Sequence, residues 1–389
     1  MPNLARIVAL LILMPSLGCT STQETLRIAT YNIEDVRSAD LTNPDHPRLA
    51  RVAAVIRDID ADIILINEIA SDQSEPNQTG PLQNGQRFAN TFLAGDYTAV
   101  TLRSNTGIPT GHDLNNDGQI VSNHPPVAPM SADGSPPRQT ADQRAYGSDA
   151  HGFGTFPGQY SMALLVKTGY SILSSGIHTF RLFKWSDLPN ATNPTNLDGS
   201  TWYSPDEWAD LRLSSKTHAI IPVRTPNGSI IHCIVSHPTP PAFDGPERRN
   251  KLRNRDEIRL LRAIIDAEPW LRDDKGQPIT PSDVFNAVVM GDLNADPTDG
   301  SSEGDPIGHL LASENMAEDP TPRATRRIDG LDGTDTAKFG LRVDYVLPSR
   351  DLSTLRSGVW RPDPANAHAY PSDHFPVWAD VKMPHSLRR

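Results

Sequence analysis

An α/β fold is what this sequence predicts, on three observations. Apolar runs of strand length recur along the chain, two pairs of them flank segments with apolar residues at helical spacing, and the strands are too numerous for a simple nucleotide-binding domain. With 389 residues and 37% hydrophobic content the chain can hold one large or two ordinary domains around a substantial core. The net charge of -11 argues against a broad grip on nucleic acid, which draws most of its affinity from cations neutralising phosphates, and leaves room for a local basic pocket.

At the N-terminus Arg6 precedes the apolar run Ile7 to Met14, which Pro15 ends and "SLGCTST" follows. That run is too short for a bilayer, which takes about 20 residues, and a charged start, short apolar core and small residues make a secretory signal over residues 1–23. Gly18-Cys19 matches the end of a bacterial lipoprotein signal, although Ser16 and Leu17 fit the preceding pattern imperfectly. The expectation is an exported chain, periplasmic or extracellular, attached to a membrane through a lipidated Cys19 slightly ahead of simple cleavage. Cys233 is the only other cysteine, so no disulfide framework is available; in "SIIHCIVSH" it reads as a small buried apolar residue.

Residues 24–389 read as one domain. "LRIATYNIE" is a strand, "RLARVAAVIRDI" a helix with Leu49, Val52, Ala53 and Ile56 on one face, and "ADIILINEIA" a second strand, together a βαβ-like unit. The alternation recurs where "RNRDEIRLLRAIIDAEPWL" leads to "NAVVMGDLN". Between these halves residues 101–158 form an irregular insertion rich in Gly, Pro, Asn and Asp, with one excursion from Ser122 to Arg144; such a stretch within a domain carries function or is disordered. A second polar stretch, "KWSDLPNATNPTNLDGSTWYSPDEW", breaks the later strands.

Five strand-end motifs carry the chemistry: "TYNIE" with Asn32, "LINEIA" with Glu68, "IVSHPTPP" with His237, "MGDLNADP" with Asp292 and Asn294, and "PSDHFPV" with Asp373 and His374. Carboxylates and carboxamides are the hard oxygen ligands that Mg2+ or Mn2+ prefers, and two histidines can hold and protonate phosphate oxygens. Any one of these alone reads as an ordinary turn or solvated loop start. Together they make a metal-assisted phosphoester hydrolysis site.

The motifs, in this order and with "GDLN" and "SDH" intact and "LRVDYVLPS" as a sixth, resemble the endonuclease/exonuclease/phosphatase superfamily, the DNase I-like fold of secreted DNase, neutral sphingomyelinase and inositol polyphosphate phosphatases. The resemblance covers roughly residues 26–382 and implies a four-layer α/β sandwich, two central, mostly antiparallel β-sheets flanked by helices, with the site at the strand ends. It implies Glu68 as main metal ligand, supported by Asn32 and Asp373; Asp292 orienting or deprotonating the attacking water; Asn294 binding a phosphoryl oxygen; and His237 and His374 stabilising transition-state charge. Asp373 neighbours His374 along a strand and points to the opposite face, so Asp344 of the "VDY" segment is the better partner for that ring. Tyr160 in "PGQYSMALLV" matches a segment of the family that contacts phosphate, with aromatic packing the alternative. Lys216 in "RLSSKTH" is a further substrate candidate, with an exposed strand lysine as the ordinary reading.

A second metal is suggested by "HDLNNDGQI", where Asp113, Asn115 and Asp117 alternate before Gly118 like the opening of a calcium loop. The twelfth position is His124 rather than glutamate, so this is no EF-hand, and Asp149 is the candidate to close the site around Ca2+; an Asx-rich surface turn is the alternative. The expected substrate is a phosphate ester of modest size. His237 points toward the DNase, sphingomyelinase and phosphatase side of the superfamily. An extracellular nuclease is the alternative within enzymes and a non-catalytic binding protein the alternative outside them. For the cluster Arg248, Arg249, Lys251, Arg253 and Arg255 a polyanion contact and a solvated helix face are both open.

Overall fold

The structure, a computed structural model, describes residues 24–73, 80–131 and 133–384; the leader read over residues 1–23, with Cys19, lies outside the described residues. In chain order the elements are β1 (Thr25–Val36), α1 (Pro47–Ile59), β2 (Ile63–Ile69), α2 (Asn84–Phe92), β3 (Tyr97–Thr101), α3 (Ala141–Ser148), β4 (Met162–Lys167), the short β5 (Ser171–Ile172) and β6 (His178–Thr179), α4 (Pro205–Asp210), β7 (His218–Arg224), β8 (Ile230–Ser236), α5 (Arg249–Ile265), β9 (Ala287–Asp292), α6 (Pro306–Leu311), β10 (Asp344–Pro348), β11 (Ser353–Val359) and β12 (Val377–Lys382). Among the described residues no helix is long and apolar enough to cross a membrane.

The strands form two mixed six-stranded sheets. The first runs β11-β12-β1-β2-β4-β3; the second runs β10-β9-β8-β7-β5, with β6 also on β7. Each sheet holds one parallel pair, β1 with β2 and β8 with β9, and its other pairs are antiparallel. A parallel pair needs a crossover, and α1 and α5 supply the two. Helix α1 starts where Pro47 presets the first turn and the His46 ring accepts from Leu49 N–H, and it stops at Asp60 in the left-handed conformation. Its buried stripe contains Leu49, Val52, Ala53 and Ile56.

Strand alternation divides the apolar side chains between two layers. Ile221, Val223, Cys233, Val235, Val288 and Met290 face the first sheet and form one core with β1, β2 and α1. Their neighbours Ile220, Ile234, Val289 and Leu347 face the other way and pack with Ile258, Leu261 and Ile264 of α5. Both faces of each central strand are buried, which is why these strands read as unbroken apolar runs. Cys233 is fully buried, and burial pushes its thiol up to about 12, leaving it inert.

The structure sharpens two readings of the sequence. The basic cluster is only in part a solvated face: Arg248 is exposed and Lys251 half-buried, while Arg249, Arg253 and Arg255 turn into the fold. Buried Arg253 donates to the carbonyls of Leu213, Arg212 and His151, Arg249 donates to Leu114 O at 2.9 Å and lies over Trp202, Arg255 pairs with Asp256 and Arg248 pairs with Glu303. The stretch 101–158 is largely irregular, as the sequence predicts, with α3 as its one helix among the described residues and its two ends bonded to each other. Thr106 and Pro109 bridge to Gly152 and Ala150, the Tyr146 hydroxyl donates to Gly107 O, and α3 carries a capping box from Thr140 and Gln143.

At the end of β9, Gly291 has φ 146°, and a Cβ there would lie 1.9 Å from the carbonyl oxygen of Ser236. Gly291→Ala is therefore expected to cost about 3 kcal/mol or more in unfolding free energy, read by denaturant titration, because strain and overlap with β8 both fall on the folded state. A loss below about 0.5 kcal/mol contradicts this close approach.

Candidate active site

The ends of β1, β2, β8 and β9 and the start of β10 meet at one end of the sandwich, bringing together residues from both sheets. Backbone strain gathers there. Glu34, Asp35, Glu68, Tyr160 and Asn294 are non-glycine residues with φ of 56°, 41°, 66°, 56° and 52°. Each such residue costs of order 1–2 kcal/mol, which the surrounding packing must offset. Glu34 and Asp35 occupy the irregularity where the β1–β2 register shifts between Asn32 and Val36.

Asn32 is the cross-link between the sheets. Its buried amide nitrogen donates to Glu68 Oε1 and to Asp292 Oδ2, both at 3.0 Å, while its oxygen accepts from Glu34 N–H. Glu68 Oε2 accepts from Asp35 N–H at 3.0 Å. The Asp35 side chain is itself held by Arg37 and by Gln159. Burial and then the nearby Asp373 push the Glu68 carboxyl up to about 7, and the same two causes bring Glu34 to about 7. Glu34, Glu68 and Asp373 therefore crowd negative charge at one mouth, and neither glutamate forms an ion pair among the described residues. A divalent cation suits this hard-oxygen set, with Glu68 as its central donor.

Asp292 sits between two imidazoles. Its Oδ2 lies 3.5 Å from His237 Nε2 and 3.7 Å from His374 Nε2, and its Oδ1 accepts from Asn294 N–H at 2.9 Å. Burial, opposed by His374 and reinforced by Asp344, brings its carboxyl up to about 6. The histidines diverge. His237 is held far below the usual imidazole range by burial, then by Lys216 and His374, so it is neutral, and its Nδ1 is buried without a partner. For His374 burial opposes the charged ring, but Asp344, bonded to Nδ1 at 2.8 Å, and then Asp292 outweigh it and hold the ring protonated well above the usual range. Asp373 Oδ1 is 4.0 Å from Nε2, on the half-exposed side.

Asp292, Asp344 and His374 place ligand atoms within 4.8 Å of one another, close enough to hold a metal ion. A ring that keeps its proton between two carboxylates competes with that use, so this trio is better suited to moving protons and the Glu68 mouth to the cation.

Lys216, in the bend before β7, is buried rather than exposed as its strand context suggests. Its Nζ donates to Pro238 O at 3.1 Å, the same carbonyl that accepts from the Asn294 amide, also at 3.1 Å. Tyr160 turns its hydroxyl to Gln139, and after burial the charges of Asp35 and Glu68 raise its pKa, so it borders the acidic mouth. The calcium candidates Asp113, Asn115, Asp117 and Asp149 lie in one neighbourhood, where Asp113 and Asp117 act on Asp149 and Asn115 donates to Asp117. Asp113 accepts from the N–H groups of Asp117 and Gly118, Asp117 from Gln119 N–H, and buried Asp149 from those of Leu114 and Val121. The oxygens of these three carboxylates stitch an Asx-rich turn to α3.

Residues 29–374 match the endonuclease/exonuclease/phosphatase family, well over half the chain. The chain belongs to that family. Family members are phosphoric ester hydrolases, and the two mixed sheets with helices around them match the family's α/β sandwich. No curated protein sequence matches the chain. Among solved structures, an endonuclease/exonuclease/phosphatase from Beutenbergia cavernae is 17% identical, with 92% of this chain and 72% of that one covered and a TM-score of 0.50. One from Bacteroides vulgatus is 15% identical over 93% of this chain and 100% of that one, with a TM-score of 0.48. A mannosyl-6-phosphatase from Bacteroides thetaiotaomicron is 14% identical over 92% and 99%, with a TM-score of 0.46.

Motif reading of this family member passes over several supporting groups. Glu34 stands inside "TYNIE" and contributes its own carboxylate to the mouth. Ser372 donates to Asn32 O at 2.7 Å and ties the "SDH" segment to β1. Buried Glu257 on α5 accepts from the N–H groups of Ser215 and Thr239 and fixes the loops that carry Lys216 and His237. An acidic residue within a strand-end motif is a usable signal for the first. For Ser372 and Glu257 the sequence carries none.

The His374–Asp344 pair predicts a proton-binding signature. Because the folded-state pKa of His374 is raised, the pair contributes stability fully below the ordinary imidazole pKa and loses it as pH rises through the folded value. In chelator-treated protein the His374 ring signal followed by NMR should stay protonated through neutral pH. In Asp344→Asn it should titrate at or below about 6.5. An unchanged titration in the variant contradicts the pairing.

Proposed function

We propose that the chain is an exported, divalent-metal-dependent phosphoric ester hydrolase that cleaves a phosphodiester or phosphomonoester of modest size by attack of activated water on phosphorus. The observation that carries this reading is Asp292, buried between a neutral and a protonated imidazole and joined through Asn32 to the carboxylate mouth of Glu68. With its carboxyl near 6, Asp292 is ionised at neutral pH and basic enough to take a proton from water as the nucleophile approaches. Asn294, placed by the Asp292–backbone bond and by Pro238 O, orients a phosphoryl oxygen. Protonated His374 faces the charge that builds on phosphorus, with Asp344 keeping its proton in place. Neutral His237 contributes a polar ring edge from the opposite side. Tyr160 and Lys216 border the substrate. Glu68, with Asn32 and Asp373 at its edges, is the set to hold Mg2+ or Mn2+, which when bound supplies Lewis-acid polarisation of a phosphoryl oxygen. On α5, Arg253 and Arg255 are held by groups of the fold, which leaves fewer cations for a strand of phosphates and favours a compact ester over the nuclease alternative. Export and attachment through Cys19 rest on the leader sequence.

Asp292→Asn is expected to lower metal-dependent turnover of bis-p-nitrophenyl phosphate or p-nitrophenyl phosphate by at least about a thousandfold with a nearly unchanged thermal midpoint. Retained turnover sinks the assignment. In the wild type, activity should rise with pH through about 6 as Asp292 ionises. Plasmid DNA, RNA and sphingomyelin in the same panel separate the ester classes, efficient DNA nicking favouring a nuclease and silence on every substrate and metal a binding protein. Cys19→Ser should move the protein from the membrane to the soluble fraction; an unaltered distribution removes the lipid anchor.

A further inference from the structure

We infer that Arg181 and Arg212, with Arg103 beside them, form a second anion site on the rim of the active site, built to take a second phosphoryl group of the substrate. The inference rests on the hydrolase reading above and deepens it.

All three arginines lie at the same end of the sandwich as the catalytic residues. Arg103 follows the end of β3, Arg181 follows β6, and Arg212 precedes β7. The Arg181 and Arg212 guanidinium groups converge on one atom, Asn105 Oδ1, at 3.2 and 2.8 Å. The assignment of that oxygen is forced, because the other side of the fully buried amide donates to the carbonyls of Arg181 and Ser214 at 2.6 and 2.7 Å. Two like charges thus share a neutral acceptor, and neither forms an ion pair among the described residues. Burial and then Arg181 pull the Arg212 guanidinium down to about 10, and Arg103 acts on Arg181 in the same direction.

Two carboxylates, Asp274 and Asp210, offset part of this charge, but their oxygens are bonded to other groups than the two guanidinium forks. Asp274 accepts from the N–H groups of Arg181 and Leu182 and from the Thr179 hydroxyl, and Asp210 pairs with Lys184 at 2.8 Å and faces His112 at 3.7 Å. Beside Arg212 the imidazole of His151, only 4% exposed, leaves Nδ1 without a partner. Half-buried guanidinium forks with most donors unspent, next to an unpaired buried imidazole, suit an oxyanion held by parallel hydrogen bonds. Lys216 connects this site to the catalytic one. Its carbonyl accepts from Asn105 N–H at 3.0 Å, while its Nζ shares Pro238 O with the Asn294 amide. In a chain of net charge -11, three arginines here face two carboxylates, Asp274 and Asp210, with no ion pair from Arg181 or Arg212 to either among the described residues.

The test uses the 4-nitrophenyl ester of thymidine 5′-phosphate, with and without a 3′-phosphate, on full-length wild type, Arg212→Gln and Arg181→Gln. The wild type should favour the 3′-phosphorylated ester in kcat/KM, and either variant should lower that preference about tenfold. No wild-type preference, or a loss in folded variants that falls equally on both esters, overturns the second site while leaving the hydrolase reading in place. If one variant fails to fold, the other decides. If the wild type turns over neither ester, the hydrolase reading is what fails; calorimetric titration with inorganic phosphate, weaker in Arg212→Gln than in wild type, then tests the anion site alone, and equal binding overturns it. A short oligothymidylate compared with the bisphosphate distinguishes a neighbouring phosphate of a strand from one carried by a compact ester.

Discussion

One side-chain amide joins the two halves of this molecule. The nitrogen of Asn32, at the end of a strand in the first sheet, donates to a carboxylate from each sheet, Glu68 and Asp292. Without that donor two buried carboxylates would face each other across the sheet interface, and like charges at such range cannot both ionise cheaply. The inter-sheet core brings the strand ends together, and Asn32 makes the meeting electrostatically tolerable. The left-handed residues around it follow from the same demand, since an ordinary pleat cannot aim Asn32, Glu68 and Asn294 at one point.

Around that link the site sorts charge by burial and partner. Two histidines within reach of one aspartate take opposite protonation states because one faces a lysine and the other a buried aspartate. Glu34 and Glu68 at the mouth form no ion pair among the described residues, and burial with the nearby Asp373 raises both carboxyls. Groups of opposite electrostatic character thus lie side by side, joined by Asn32.

Much of this was legible in the sequence, and what was not has definable causes. The two βαβ units could be read because strands buried on both faces are continuous apolar runs and their crossover helices carry a 3.6-residue stripe. The strand-end residues could be read because six motifs in order are more informative than any one. Strand alternation points to Asp344 as the partner of His374, but Asp373 and His374 precede β12 at a bend; Asp344 takes Nδ1 at 2.8 Å because β10 brings it to that side of the ring, and Asp373 stands 4.0 Å from Nε2. Burial of charged residues in irregular segments could not be read: Lys216, and the half-buried Arg181 and Arg212, have no periodic context to show which way they point. At the Asp113 turn the residue pattern leaves open how far the carboxylate oxygens are engaged by backbone N–H groups, and here those of Asp113 and Asp149 each accept from the chain.

The pairing of β1 with β12 has a consequence for the order of events in folding. Thr25 lies opposite Lys382, and Ser372 closes onto Asn32, so the first strand of the sandwich stays an edge until the last one arrives. Every polypeptide emerges from its N-terminus, and closing such long-range contacts is slow. A chain ending before Ser372 lacks both the tie to Asn32 and the ring that faces Asp292, so the constellation at the strand ends is complete only when the last segment has docked.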